Sequence, residues 1–269
     1  MLSPTQITAY LTRLRLSGSP PPPTLATLER LQRAHMLAVP FENLDVYHRI
    51  PLSLKPADLH DKIVRRRRGG YCFELNGHYA DLLRALGFSV SPRLARVWLR
   101  APAETPTRNH LLHVVTIDGH DYLTDVGFGG LTARRPVPID TDAWFDDGEG
   151  RVRLRPDATF GRMLEREVDG EVQPQYSFDE SHVAPQDIAA ANHWMEHHPV
   201  SHFSENRFVA RFTEDGRVGM YDTALTTRRY RNGRHERMTE EIDEARDYER
   251  VIREQFGIEA REVGASRRF

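Results

Sequence analysis

Apolar residues recur every three or four positions through the first part of the chain, a pattern that predicts helices. Ser3, which precedes a proline, is expected to cap the first helix, and Thr24 is expected to cap the second. Residues 58–67 predict a third helix, and a fourth is expected to begin near Cys72. The pattern therefore predicts a helical segment over residues 1–87.

The pattern of apolar positions changes from helical to alternating after the fourth predicted helix, which is typical of strands. Residues 110–117 and 121–127 both alternate, and they flank Asp118-Gly119, a dipeptide that suits a two-residue hairpin turn. We therefore expect these two segments to pair as an antiparallel hairpin.

The last third of the chain predicts a mixture of helices and strands. Residues 187–198 are expected to form a helix that stops at Pro199. A final helix is expected between a capping Thr239 and Gly257. Strands are predicted over residues 207–213, 217–225 and 228–239, with a turn at Asn232-Gly233.

Composition narrows the class of protein. The 269 residues are 39% hydrophobic and 28% charged, which is ordinary for a globular protein with a sizeable core. A formal net charge of -2 gives no support to nucleic-acid or membrane binding. Cys72 is the only cysteine, so a reducing, cytoplasmic compartment is expected. No apolar run approaches the roughly 18 residues that a membrane span needs.

Two local features of the sequence favour a reactive thiolate at Cys72. If a helix begins just after Gly69-Gly70, the sulfur lies at the helix N-terminus, where free N–H groups and the helix dipole stabilise negative charge. The arginine run 65–68 adds positive potential beside it. A free cysteine is more often a small buried apolar residue, so the catalytic interpretation depends on a partner base.

The predicted hairpin selects one of the 13 histidines as that base. With a two-residue turn, the register places His110 and Asp125 diagonally on one face. His113, opposite Thr124, points to the other face. A carboxylate on one ring nitrogen fixes the tautomer and leaves the other nitrogen free to take a proton from a thiol. Cys72, His110 and Asp125 are therefore the predicted catalytic residues, in an arrangement like that of the cysteine proteases.

Four segments of the sequence resemble the arylamine N-acetyltransferases, and specifically the bacterial members of that family. They are RRGGYCFELN (67–76), AHMLAVPFENLDV (34–46), NHLLHVV (109–115) and DVGFGG (125–130). The resemblance implies a transferase that moves an acetyl group from acetyl-CoA to an arylamine, arylhydrazine or N-hydroxyarylamine by a ping-pong route through an acetyl-cysteine. It also implies Cys72 as nucleophile, His110 as base and Asp125 as orienting carboxylate.

The resemblance further implies an α+β fold in three domains. Residues 1–87 would form a helical bundle that carries the nucleophile. Residues 88–190 would form a β-barrel-like domain that carries the histidine and the aspartate. Residues 191–269 would form a linker and an α/β lid. The change of pattern near residue 87 agrees with the first of these boundaries.

Other roles come from the resemblance alone. It implies that Phe41, Phe128 and Phe203 line the acceptor pocket. Gly129 and Gly130 are the predicted contacts to CoA, because a glycine loop can present backbone N–H groups.

The resemblance also implies a buried ion pair between Glu42 and Arg67. No metal is expected, although His193, His197, His198 and His202 imitate the spacing of a metal site. The proline within that stretch breaks the helix, and acyl transfer by a thiolate requires no metal ion.

Three other interpretations remain open at this point. The same chemistry could serve an amide synthase that closes a macrolactam, or a transferase of another acyl group. The same catalytic residues could belong to a papain-like or transglutaminase-like hydrolase. The third is a binding protein that has kept the fold without the activity. A monomer or a homodimer is expected, with a small-molecule acceptor and acetyl-CoA as its ligands.

Overall fold

The fold consists of helices and two antiparallel sheets. The computed structural model describes residues 1–99, 102–198, 201–231, 233–259 and 263. The helix stop predicted at Pro199 and the turn residue Asn232 lie outside the described residues. Within them, no helix combines the length and the apolar character needed to cross a bilayer.

Helices occupy most of the chain before residue 86, as the apolar spacing predicts. Ser3 caps the first helix through a reciprocal capping box with Gln6, and the Thr24 side chain accepts a hydrogen bond from Thr27 N. The helices are α1 (Pro4–Arg13), α2 (Leu25–Ala38), α3 (Leu44–Tyr47), α4 (Pro56–Leu59), α5 (Cys72–Ala85), α6 (Pro185–His197) and α7 (Glu244–Val251), with π-helical turns at His60–Arg65 and Ile252–Phe256 and a 3₁₀ turn at His202–Ser204.

The larger sheet has eight strands and curls, so that β5 near one edge packs against β7 near the other. Its spatial order is β5-β4-β3-β2-β9-β8-β7-β6. The strands are β2 (Ser89–Val97), β3 (Arg108–Ile117), β4 (His120–Thr124), β5 (Val137–Pro138), β6 (Phe145–Asp146), β7 (Arg151–Asp157), β8 (Gly161–Val168) and β9 (Glu171–Phe178).

The smaller sheet has five strands in the order β1-β10-β11-β12-β13. Its first strand comes from the helical part of the chain, where only helices are expected from the sequence. The strands are β1 (Phe41–Glu42), β10 (Phe208–Thr213), β11 (Gly216–Tyr221), β12 (Ala224–Arg231) and β13 (Arg234–Glu241).

The hairpin of β3 and β4 has the predicted register. Ile117 pairs with His120 and His113 pairs with Thr124. Asp118 and Gly119 both have positive φ, 51° and 82°, which is the backbone of a two-residue type I′ turn. The even loop length that the choice of histidine requires is therefore present.

Two predictions for the C-terminal part are wrong. Residues 217–225 do not form one strand, because the chain reverses at Asp222, whose φ is 51°, between β11 and β12. Thr239 does not cap the last helix, because it lies within β13. The side chain of Asp243 accepts a hydrogen bond from Arg246 N at the start of α7 instead.

The main core surrounds α5. Leu75, Tyr79 and Leu82 of this helix have no exposed surface, and α5 packs against β3. Burying one such aliphatic side chain stabilises the fold by about 1.5–3 kcal/mol. The core also includes residues of β3 and α6, so helix α5 is fixed against the hairpin. The three domain boundaries drawn from the sequence stay a prediction.

The segment before α5 passes too close to its neighbours for a side chain. A Cβ atom at Gly69 would lie 2.0 Å from the carbonyl oxygen of Pro40. Only glycine permits this contact, and the contact fixes where the helix begins.

We expect Gly69→Ala to lower the free energy of unfolding by about 3 kcal/mol or more, because the backbone of one segment must move. Urea unfolding measures this. Gly77→Ala is the matched control within α5, where the new methyl group meets only Leu59 at 3.9 Å. It should raise the free energy of unfolding by about 0.5–1 kcal/mol. Equal effects of the two variants would contradict the close approach at Gly69.

Candidate active site

Cys72 is the first residue of α5, as the sequence predicts. Tyr71 before it is extended, with φ of -96° and ψ of -171°, so the helix begins abruptly at the cysteine. The Cys72 side chain is buried, with 4% of the residue exposed, and its Sγ lies 3.9 Å from the carbonyl oxygen of Asn109. The helix start therefore directs the thiol toward strand β3.

His110 and Asp125 meet beside that thiol. The Nε2 atom of His110 lies 2.8 Å from Oδ2 of Asp125, and both side chains are almost completely buried. The imidazole also interacts electrostatically with Cys72. The structure thus brings the three predicted catalytic residues together. His113 lies on the other face, where burial lowers its pKa to about 3 and keeps it neutral.

The surroundings of His110 favour its charged form. Burial alone would lower the pKa of His110, but the Asp125 carboxylate and, to a smaller extent, Cys72 raise it to about 10. Burial likewise opposes ionisation of Asp125, yet the charge of His110 and the hydrogen bonds from His110 and Asn76 hold the pKa of Asp125 below its usual value. At neutral pH the site therefore holds an imidazolium beside the Asp125 carboxylate.

Asn76 is a positioning residue that the sequence analysis missed. It lies one turn after Cys72 on α5, and its amide donates to Oδ1 of Asp125 at 2.8 Å and to the Leu111 carbonyl at 2.6 Å. Its Oδ1 accepts from Val126 N at 2.9 Å. One side chain thus fastens helix α5 to strand β3 and to the two residues that follow β4. The sequence signal for this residue was its position four residues after Cys72, which places both side chains on one face of the helix.

A buried ion network supports the start of α5. The Arg68 guanidinium contacts Glu42 and Asp45, each at 2.8 Å. Lys62 contacts Asp45 and Glu74, each at 2.7 Å. The second oxygen of Glu74 accepts from Tyr71 N at 3.1 Å, so the network ends on the backbone that precedes Cys72.

The ion pair implied between Glu42 and Arg67 is therefore wrong by one position. Arg67 sits where the chain reverses with φ of 56°, and its side chain is exposed. Arg68 is the residue that turns inward, with no exposed surface.

Two of the three predicted pocket aromatics contact each other, and the third contacts His110. The Phe41 and Phe203 rings are 5.8 Å apart, and Phe203 is 6.1 Å from the ring of Tyr71. The Phe128 ring lies 5.1 Å from the His110 ring. The hydroxyl of Tyr71 donates to Asn192 Oδ1 of α6, which brings that helix to the same site and was not expected from the sequence.

The two glycines after Phe128 are tightly packed. A Cβ atom at Gly129 would lie 3.0 Å from ring atoms of Phe41 and Phe208, and one at Gly130 would lie 2.4 Å from the Phe128 ring. Close packing of aromatic rings accounts for both glycines. Their predicted contact with CoA stays a prediction.

The histidines of α6 contact one another. His193 and His197 stack with ring centroids 4.2 Å apart, and Nδ1 of His197 lies 3.1 Å from the His193 carbonyl oxygen. Within the described part of the chain, no group of three or more potential ligands is arranged around a common metal position.

Comparison with known proteins gives the family. A family model described as N-acetyltransferase matches residues 24–263. An arylamine N-acetyltransferase / N-hydroxyarylamine O-acetyltransferase of Salmonella typhimurium is 33% identical over 256 residues, which cover 95% of this chain and 89% of that protein. An arylamine N-acetyltransferase of Mycolicibacterium smegmatis is 36% identical over 255 residues, with coverages of 93% and 90%. The chain belongs to the arylamine N-acetyltransferase family.

Solved structures of arylamine N-acetyltransferases share the whole fold. The Mycobacterium marinum enzyme in complex with CoA matches with a TM-score of 0.88 at 34% identity, over 96% of this chain and 94% of that one. The M. smegmatis enzyme matches with a TM-score of 0.89 at 35% identity, over 97% and 94%. The family assignment made from the sequence motifs is confirmed, and so is its class of enzyme, an acyltransferase.

We expect Arg68→Met to lower the free energy of unfolding of this acyltransferase by about 3–5 kcal/mol, because Glu42 and Asp45 would stay buried without their cation. Arg67→Met removes the same charge from an exposed side chain and should change the free energy by no more than about 0.5 kcal/mol. Denaturant unfolding of both variants measures the difference. A larger loss in the Arg67 variant would restore the pairing first expected from the family.

The pKa of His110 also sets the pH dependence of stability. Its value in the folded protein is above the ordinary value of about 6.5, so its stabilising effect is complete below pH ~6.5 and disappears as the pH rises through about 10. The stability difference between wild type and His110→Gln should therefore shrink from pH 7 to pH 10.

The neighbouring histidine provides the control for this titration. His113 is neutral throughout that range, so the difference between wild type and His113→Gln should stay constant from pH 7 to pH 10. Urea unfolding at several pH values measures both. A difference for His110→Gln that does not change with pH would contradict a protonated imidazole in the folded site.

Proposed function

We propose that this chain transfers an acetyl group from acetyl-CoA to arylamines, arylhydrazines or N-hydroxyarylamines through an acetyl-cysteine at Cys72. The observation that carries the proposal is the buried, hydrogen-bonded pair of His110 and Asp125 beside Cys72, which begins helix α5. The names of the related enzymes support this acceptor class, and the CoA complex of the M. marinum enzyme supports the donor.

In the first half of the proposed reaction, the Cys72 thiolate attacks the thioester carbonyl of acetyl-CoA. A carbon–sulfur bond forms to Cys72, and the bond to the CoA sulfur then breaks. The departing sulfur takes the proton of the His110 imidazolium, so CoA leaves as the thiol and His110 becomes neutral. We assign stabilisation of the oxyanion to backbone N–H groups at the start of α5.

In the second half, the acceptor amine attacks the acetyl-cysteine carbonyl. Neutral His110 takes a proton from the amine nitrogen, and Cys72 departs as the thiolate. The site returns to its starting charges, with an imidazolium that Asp125 stabilises. The cycle therefore uses the donor, the acceptor, these three residues and the backbone N–H groups at the start of α5.

The aromatic residues around Cys72 suit the proposed acceptor. Aromatic amines are largely unprotonated at neutral pH, and their rings can stack on Phe41 and Phe203, with Phe128 on the His110 side. We include Gly129 and Gly130 in the proposal as backbone contacts to CoA. The proposal also includes a cytoplasmic location and the division of the chain into three domains.

We expect Cys72→Ala to abolish acetylation, because it removes the acetyl carrier. Asp125→Asn should lower kcat by about 10⁴-fold, because an amide stabilises the wrong tautomer of His110 and cannot stabilise its charge. Release of CoA in the presence of an arylamine measures both. Substantial turnover of acetyl-CoA by the Cys72→Ala protein would contradict the proposal.

The same assay separates the transferase from a hydrolase. A transferase releases CoA at a rate that depends on the amine, and its double-reciprocal plots for the two substrates are parallel, as a ping-pong route requires. A hydrolase with the same three residues would release CoA without an amine. A panel of acyl-CoA donors tested against acceptor amines would show whether the acetyl group is preferred.

A further inference from the structure

The five-stranded sheet has one apolar face and one face lined by arginines. The apolar face packs against α7 and the turn that follows it. On the other face, Arg217 of β11 lies directly opposite Arg228 of β12, which lies directly opposite Arg237 of β13. Directly paired residues share a face, so the three guanidinium groups form a line across three strands. We call these three residues the arginine row.

Like charges directly opposite one another destabilise a sheet, so this arrangement calls for a neutralising partner. Among the residues that the structure describes, none of the three makes an ion pair, whereas Arg229 and Arg231 on the same strand both pair with Asp215. Arg217 donates only to the carbonyl oxygen of Gly129, at 3.4 Å. Burial and the nearby charge of Arg228 lower the pKa of Arg217 to about 10, even though Glu149 acts against them.

Several buried polar groups near the arginine row also lack hydrogen-bond partners. Glu149 is 1% exposed, and neither of its carboxylate oxygens has a hydrogen-bond partner in the described structure. The Nη1 atom of Arg134, 3.8 Å from that carboxylate, has none either. On β13, both ring nitrogens of His235 are buried and unbonded. Buried polar atoms in native proteins are nearly all hydrogen-bonded, so the Arg134 guanidinium and the His235 ring are suited to a polar ligand.

The charged groups around the arginine row are mainly positive. Asp147 cannot neutralise the row, because it already forms a buried ion pair with Arg166. Asp169 interacts with Arg228 only at longer range. The remaining groups are the Glu149 carboxylate, its neighbour Arg134 and the arginine row itself. An excess of guanidinium groups favours a multiply charged anion, and guanidinium groups match phosphate oxygens in geometry.

The row connects the candidate active site with the surface. At its inner end, Arg217 contacts Gly129, in the loop that follows Asp125. That loop approaches the nucleophile closely, because a Cβ atom at Gly127 would lie 3.0 Å from Cys72 Cα. At its outer end, Arg237 is exposed. With neighbouring strands about 4.8 Å apart, the row spans roughly 10 Å from the site outward.

We propose that the arginine row binds the phosphate groups of a ligand. The nucleotide half of acetyl-CoA is one source of such groups, in which case the inference rests on the proposed function. A free phosphate compound is the other source. In either case the row, together with Arg134, supplies charge-assisted hydrogen bonds to phosphate oxygens.

The test compares acetyl-CoA with S-acetylpantetheine, a thioester donor that has the same reacting group and no phosphate. In Arg228→Gln and Arg237→Gln, the ratio of kcat/KM for acetyl-CoA to kcat/KM for S-acetylpantetheine should fall about tenfold, since each loses charge-assisted hydrogen bonds to phosphate. Calorimetric titration with inorganic pyrophosphate measures the free-phosphate source in the same variants.

Arg229→Gln is the matched control. It removes the same charge from the same strand on the opposite face, where the side chain is 52% exposed, and should leave the ratio unchanged. An unchanged ratio in the row variants, combined with loss of pyrophosphate binding, would support the row with a free phosphate compound as its ligand. An unchanged ratio with unchanged or absent pyrophosphate binding would overturn the proposal. An equal fall in kcat/KM for both donors, without loss of pyrophosphate binding, would overturn it too.

The two proposals can fail separately. If the wild-type protein transferred acetyl from neither donor, the proposed function would fail, while the pyrophosphate titration would still decide whether the row binds phosphate. If transfer proceeds and the row variants match the control in both measurements, only the arginine row is contradicted.

Discussion

The Arg68 guanidinium is the contact on which the position of Cys72 depends. It is completely buried between Glu42 and Asp45, and Lys62 links Asp45 to Glu74. Removing charges from water is costly, so each member of this network is stable only while its partners are present. The network therefore holds together three pieces of chain: the strand that carries Glu42, the π-helical turn, and the residue that precedes Cys72.

This constraint combines with a second one to form the site. The network and the close approach at Gly69 determine where α5 begins, and Asn76 fastens the same helix to the hairpin that carries His110 and Asp125. The side chains of Cys72, His110 and Asp125 are thus positioned by buried side chains of the helices and strands around them. The buried imidazole of His110 has a raised pKa here mainly because its carboxylate partner is held at 2.8 Å. The buried contacts that position these side chains therefore also determine the charge of His110.

Features that depend on neighbours in sequence were predictable. The helix start at Cys72 follows from local spacing, and the hairpin register follows from the Asp118-Gly119 turn, which selects His110 over His113. Features that depend on distant contacts were not. The choice of Arg68 over Arg67 is made by a chain reversal and by carboxylates more than 20 residues away. The arginine row is visible only once the pairing of three strands is known.

The central claim is that Cys72 carries the acetyl group between the two substrates. Incubation with acetyl-CoA in the absence of an amine, followed by mass measurement of the whole protein and of its peptides, tests this most directly. We expect one added acetyl group per chain on the peptide that contains Cys72, an equal amount of free CoA, and loss of the acetyl group from Cys72 when an arylamine is added. Acetylation of a different residue, or acetyl transfer to the amine with Cys72 unmodified throughout, would contradict it.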